Sequence, residues 1–113
     1  MPEETVQLGQ RPTFAYVIVA DGPRAGAIFQ LRAGTLGLGR SGSNEIRLDD
    51  DAISSEHAHL RWEGEREITL VDLGSENGTK VNGRRAQQQR LRHNDVIEAG
   101  ETRLVFKFVG QGQ

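Results

Sequence analysis

The sequence predicts an all-β fold, a β-sandwich of short strands, and three observations lead there. Apolar residues recur with a period of two in short runs. Fourteen glycines in 113 residues separate those runs with turn chemistry. No window of helical length carries an apolar 3.6-residue period. About ten strands follow from this reading, with no internal repeat and no domain linker.

The elements can be taken in order. Residues 1–12 are polar without sustained periodicity and read as a flexible tail. Residues 14–20, rich in aromatic and β-branched types, read as a strand that Asp21-Gly22-Pro23 ends. Strands are expected at 27–31 and 35–39, then a loop at Ser41-Gly42-Ser43-Asn44 and a short strand at 46–48. In 57–62, alternation puts His57, His59 and Arg61 on one face and Ala58, Leu60 and Trp62 on the core face. Residues 68–72 repeat the alternation. Strands at 79–81 and 84–86 flank Asn82-Gly83, a strong two-residue hairpin signal. Strands at 96–98 and 103–109 complete the set, with Leu104, Phe106 and Phe108 on one face.

Composition narrows the function classes. The length fits one domain with a modest core. A formal net charge of -2 gives no general field for nucleic acid, so any anion site must concentrate positive charge locally. The chain has no cysteine, hence no disulfide framework, thiolate metal site or thiol nucleophile. The longest apolar stretch, near residues 14–20, is far too short for a bilayer, and no basic-then-apolar signal opens the chain. A cytoplasmic protein with no membrane or nucleic-acid partner is the expectation.

Several motifs fail on context. Residues 37–42 spell G-x-G-x-x-G, but a loop and a short strand follow instead of the helix a dinucleotide site needs. Asn77-Gly78-Thr79 has the form of a glycosylation sequon and reads better as a turn. His57 and His59 share a strand face without a nearby third ligand, so no metal is assigned. Ser54, His57 and Asp72 can be drawn as a triad, but no nucleophile elbow accompanies them, so no catalytic residue is assigned and no enzyme is expected.

What survives is a set of three loop clusters: Gly39-Arg40, Ser54-Ser55-Glu56-His57 and Ser75-Glu76-Asn77-Gly78-Thr79. A phosphate ester carries about -1.5 to -2 charge and three strong acceptor oxygens. Arg40 offers a planar fork of charged donors, and Gly39 leaves room for close backbone approach. Ser54 and Ser55 offer donors from a second loop. Asn77 carries both a donor and an acceptor, which suits the main chain of an extended peptide, and Gly78 permits a tight turn.

Together these residues resemble a forkhead-associated (FHA) domain. The resemblance runs from about Phe14 to Val109. It includes Asn44-Glu45-Ile46-Arg47-Leu48-Asp49-Asp50, Asp72-Leu73-Gly74, Val81-Asn82-Gly83, Leu91 and Asp95-Val96-Ile97. It implies a β-sandwich of about eleven strands, FHA/SMAD-like, with binding loops at one end. It implies a domain at 13–109 between tails at 1–12 and 110–113. The implied function is recognition of phosphothreonine in a partner protein within Ser/Thr-kinase signalling or assembly, without cofactor or catalysis. The alternative is a degenerate FHA-like scaffold making phospho-independent contacts. By the resemblance, Arg40, Ser54 and Ser55 meet the phosphate, and Asn77 with Glu76 meets the peptide main chain. Gly39, His57, Gly78, Thr79 and Asn82 support the loops. Ser55 stands where the family often has arginine or asparagine, and Glu76 where serine or threonine is usual. Some bacterial relatives carry a phosphorylatable threonine in the N-terminal tail and close on themselves. Thr5 in Glu3-Glu4-Thr5-Val6-Gln7-Leu8 is the candidate here.

Overall fold

A computed structural model of the chain describes residues 14–110. The tail, with Thr5, lies outside the described residues. Among the described residues, eleven strands form two sheets. The strands are β1 (Phe14–Asp21), β2 (Ile28–Gln30), β3 (Gly34–Gly39), β4 (Ile46–Arg47), β5 (Ala58–Glu63), β6 (Glu67–Asp72), β7 (Thr79–Val81), β8 (Arg84–Arg85), β9 (Gln88–Arg90), β10 (Val96–Ala99) and β11 (Thr102–Val109). One sheet has the order β2-β1-β11-β10-β7-β8, the other β4-β3-β5-β6-β9. There is no helix among the described residues, hence none long and apolar enough to cross a membrane.

The period-two pattern explains the core. Ala15, Val17 and Val19 of β1, Ile97 and Ala99 of β10, and Leu104 and Phe106 of β11 point inward from the larger sheet. Leu36 and Leu38 of β3, Leu60 of β5, and Ile68 and Leu70 of β6 face them from the smaller sheet. All are at most 5% exposed. Each large side chain so buried contributes roughly 1.5–3 kcal/mol relative to exposure, which makes the register costly to slip. Trp62 and Phe108 close the margin edge to face, their ring centroids 6.2 Å apart.

The register gathers the loops. Leu38 pairs with Ala58, and Ala58 pairs with Asp72. The end of β3, the start of β5 and the end of β6 are therefore at one end of the sandwich. β4 lies parallel to β3, so the segments at 40–45 and 48–57 both turn over that same end. The pairing of Phe14 with Val109 sits at the opposite end.

Two departures from the sequence reading are instructive. Gln88-Gln89-Arg90 forms a strand that the sequence does not announce, because all three residues are exposed and no apolar alternation marks them. Its place is set by backbone pairing alone: Val71 with Gln88, Leu70 with Gln89, Thr69 with Arg90. His57 does not share an outward face with His59. It precedes β5, its N–H donates to the Leu38 carbonyl at 2.9 Å, and its side chain is 0% exposed. Strand alternation cannot be extended one residue past the strand's start. Asn82 and Gly83, at φ 53° and 85°, form the tight hairpin turn with both central residues left-handed.

Candidate functional site

The three loop clusters converge at the end just described. Their lower layer is closed on itself. The Nδ1 of His57 accepts from the Ser54 N–H at 3.1 Å, so the proton sits on Nε2, which donates to the Gly78 carbonyl at 3.0 Å. One buried imidazole thus ties the second loop to the third. Beside it, Asp72 gathers four donors. Its Oδ2 accepts from the N–H groups of Gly74 and Ser75, and its Oδ1 from the hydroxyls of Ser75 at 2.6 Å and Thr79 at 2.7 Å. Burial pushes the Asp72 carboxyl up, but these four hydrogen bonds outweigh it and hold the group below its ordinary value. The Ser75 hydroxyl also accepts from the Gly78 N–H.

Asp50 anchors the second loop from the other side. One carboxylate oxygen accepts from the Ala52 N–H, and the other from the Glu101 N–H and the Thr102 hydroxyl at 2.7 Å. Burial again opposes ionisation, and the donors again win, leaving the carboxyl lowered. In sequence, Asp50 is the middle of three successive aspartates. Two of its three side-chain partners lie 51 and 52 residues away, where no local signal reaches.

The Ser54, His57 and Asp72 side chains do not form a triad. The imidazole bonds to the Ser54 N–H, while the Ser54 hydroxyl accepts from the Glu76 N–H at 3.1 Å. The Asp72 carboxylate is 4.0 Å from Nε2, whose hydrogen bond goes to Gly78.

The upper layer is exposed or half-buried and only partly paired. Arg40 spends Nε on the Ile53 carbonyl at 3.1 Å and one terminal nitrogen on the Ser55 hydroxyl at 3.5 Å. The rest of its five-donor fork faces solvent. The Ser54 hydroxyl, having accepted from Glu76, keeps its own hydrogen to donate. Asn77 donates through Nδ2 to the Ala52 carbonyl at 2.9 Å, and no donor among the described residues meets its Oδ1. Glu76 contributes its N–H to Ser54 while its side chain remains exposed.

Close approach explains two glycines. A Cβ on Gly39 would collide with the Ser55 carbonyl and lie 2.8 Å from Nδ2 of Asn44. Asn44, whose role sequence reasoning did not identify, donates to the carbonyls of Ser41 and Ser55 and so staples the first loop to the second. Gly78 has φ 82°, and a Cβ there would lie 2.7 Å from Cζ of Arg85. At the far end of the hairpin, Asn82 donates to Asp95 and accepts from the Val96 N–H, joining the turn to β10. Asn94, in the turn ahead of β10, sits at φ 75°, a conformation asparagine tolerates.

A rigid two-sheet sandwich with spare donors on three loops of one end defines a loop-recognition module. The comparisons with known proteins give the family. The family model of the FHA domain matches residues 36–100, and the chain belongs to the FHA domain family. It is 41% identical over 92 residues to the glycogen accumulation regulator GarA of Mycolicibacterium smegmatis, covering 81% of this chain and 58% of that protein. It is 45% identical over 92 residues to the oxoglutarate dehydrogenase inhibitor of Corynebacterium efficiens, covering 81% and 64%. The chain thus spans about three-fifths of the length of these relatives. Among solved structures, the FhaA FHA domain in complex with the intracellular domain of Rv3910 superimposes with a TM-score of 0.76 at 34% identity, covering 82% of this chain and 99% of that one.

Proposed function

We propose that this domain binds a phosphothreonine segment of a partner protein, with Arg40 and Ser54 on the phosphate, Ser55 beside them and Asn77 on the peptide main chain. The carrying observation is the state of Ser54. Its hydroxyl accepts from the Glu76 N–H, which holds the oxygen in place and leaves its hydrogen to donate, and its carbonyl receives the Arg40 N–H, so the two residues are adjacent across the loops. Donors held in place by other bonds need no reorganisation when an anion arrives, and binding gains from that preorganisation. The relatives named as a regulator and an inhibitor support a role in which binding, not turnover, is the output. A solved FHA domain studied for phosphothreonine-dependent interactions, with a TM-score of 0.77 at 34% identity, supports the choice of residue. The partner is the product of a Ser/Thr kinase, and the setting is the cytoplasm.

Calorimetric titration with a phosphothreonine peptide, its unphosphorylated twin and a threonine-to-glutamate twin tests the reading. Binding of the first alone is expected, because a carboxylate has less charge and fewer acceptors than a phosphate. Affinity should also fall below about pH 6, where the phosphate loses its second charge. Equal binding of phosphorylated and unphosphorylated peptides would replace the reading with that of a phospho-independent scaffold.

A further inference from the structure

The outer face of the larger sheet carries a row of charges beneath the Asn77 loop. Cross-strand pairing sets Arg85 opposite Lys80, Lys80 opposite Glu98, Glu98 opposite Arg103, and Arg103 opposite Asp21. Directly opposed residues in a sheet point to the same side. The row therefore runs plus, plus, minus, plus, minus across five strands, and its two ends differ. Arg103 is held between Asp21 at 3.3 Å and Glu98 at 3.6 Å, and neutralised by them. Lys80 and Arg85 make no ion pair with any carboxylate among the described residues. Both are exposed, unlike Arg103 of the same row in having no acidic partner.

The positive end touches the site. The guanidinium of Arg85 lies over Gly78, where a Cβ would fall 2.8 Å from its Nε. Lys80, Asn77 and Gly78 line one cleft with Asp21, Glu98, Glu101 and Arg103, and Arg85 is not part of its lining. A peptide held at its main chain by Asn77 must pass one lip of this cleft. Of the cleft's two cations, Arg103 is neutralised by Asp21 and Glu98, whereas Lys80 has no ion-pair partner among the described residues, and Arg85 joins it from over Gly78.

We propose that Lys80 and Arg85 form a second anion subsite that reads a carboxylate side chain flanking the phosphothreonine, so that the domain selects acid-flanked phosphopeptides. The inference rests on the phosphopeptide reading of Arg40, Ser54 and Asn77. Its charge logic is local: the chain is net negative, and the selectivity comes from the uneven pairing along one row. Glu98 and Glu101 in the same cleft sharpen it, because a peptide carboxylate displaced toward them is repelled. Neutral phosphopeptides lose nothing when the two cations are removed.

The test uses four peptides: phosphothreonine with glutamates before it, with glutamates after it, with glutamines at all those positions, and the unphosphorylated glutamate peptide. Each is titrated against the wild type, the double variant Lys80→Gln/Arg85→Gln, and Arg40→Ala. Two exposed charge contacts predict about three- to tenfold tighter binding of one glutamate-flanked peptide over the glutamine peptide in the wild type. That preference should shrink as salt rises from about 50 mM to about 500 mM. In the double variant the preference should vanish while glutamine-peptide affinity stays unchanged, which also reports an intact site. Equal affinity of all three phosphopeptides for the wild type overturns the proposal. So does a double variant that keeps the preference, or one that weakens all three equally. Failure of every phosphopeptide to bind the wild type would instead overturn the phosphate site itself.

Discussion

The two layers of the loop end use the same kinds of residues for opposite purposes. In the lower layer, His57, Asp72 and Asp50 are buried or nearly so, and their polar atoms meet partners within the chain. In the upper layer, Arg40, Ser54 and Asn77 each make one or two bonds and keep a further group unspent. A buried unsatisfied donor is expensive, so the lower layer must close. An exposed one is satisfied by water and can be exchanged for a ligand. The difference teaches that hydrogen bonds below fix the loops and hydrogen bonds above fix only the aim of side chains. Substitutions should therefore separate into those that melt the domain and those that silence it.

The sharpest break is His57→Ala. It orphans the Ser54 N–H and the Gly78 carbonyl, each costing about 1–3 kcal/mol, and leaves a cavity. A loss of about 3 kcal/mol or more is expected, a fall in Tm beyond about 10 °C for a domain of this size. Binding should weaken with it. A variant with unaltered Tm and no phosphopeptide binding would move His57 into contact with the ligand and collapse the distinction between layers.

Arg40→Ala should do the reverse. Its charge-assisted bonds to a phosphate are worth roughly 1.5–3 kcal/mol each, so affinity should drop at least about tenfold. Stability should change little, because Arg40 is exposed and its one strong internal bond goes to the Ile53 carbonyl. Arg40→Lys should restore part of the affinity, since the charge returns without the fork. Calorimetry alongside thermal unfolding would check both halves. Unchanged affinity in Arg40→Ala would remove the phosphate from this end of the molecule.

Asp72 and Asp50 sharpen the comparison through pH. Both carboxyls titrate below their ordinary value in the folded chain. Their contribution to stability is thus complete above the unfolded carboxyl pKa, about 3.9, and disappears as pH falls through the lower folded value. Asp72→Asn should lose about 1–2 kcal/mol at neutral pH, because the amide accepts through one oxygen only. The deficit should narrow on acidification, as the wild-type carboxylate is protonated. Urea unfolding across pH 7 to about 3 would show the curves converging, and parallel curves would mean Asp72 contributes no charge-dependent stability.

How much of this was legible in the sequence depends on where the partners lie. Ten of the eleven strands carry a local signature, either apolar alternation as in β1 and β11 or flanking turn chemistry as in β7 and β8. β9 has neither, and only its pairing with β6 reveals it. The upper site residues are recognisable only together: glycine-arginine, paired serines and asparagine-glycine are each ordinary in loops, and it is their order along the chain that resembles the family. The lower layer is harder. Asp50 and Asp72 both fall within the motifs that carry the resemblance, but neither role is announced: Asp72 is met by hydroxyls and N–H groups of the segment just after it, and Asp50 by Glu101 and Thr102 from far along the chain. The uneven charge row from Arg85 to Asp21 is likewise invisible until the register of five strands is known.

The smallest expected effect belongs to Ser55. Its hydroxyl lies 3.5 Å from the Arg40 guanidinium, the limit of a hydrogen bond, and the side chain is exposed. Its carbonyl does more, receiving the Ser41 N–H and the Asn44 carboxamide, and Gly39 is shaped to admit it. Ser55→Ala keeps that backbone and removes one weak contact, so binding should fall by only about twofold and stability by under about 0.5 kcal/mol. Ser55→Arg should act oppositely on affinity by adding a second fork beside Arg40, with gains of up to about tenfold for a doubly charged phosphate. Titration of the two variants with the same phosphopeptide measures whether this position lies in the upper layer at all. If Ser55→Arg left affinity unchanged and Ser55→Ala lowered stability instead, the serine hydroxyl would belong with His57 and Asp72, among the groups that hold the loops.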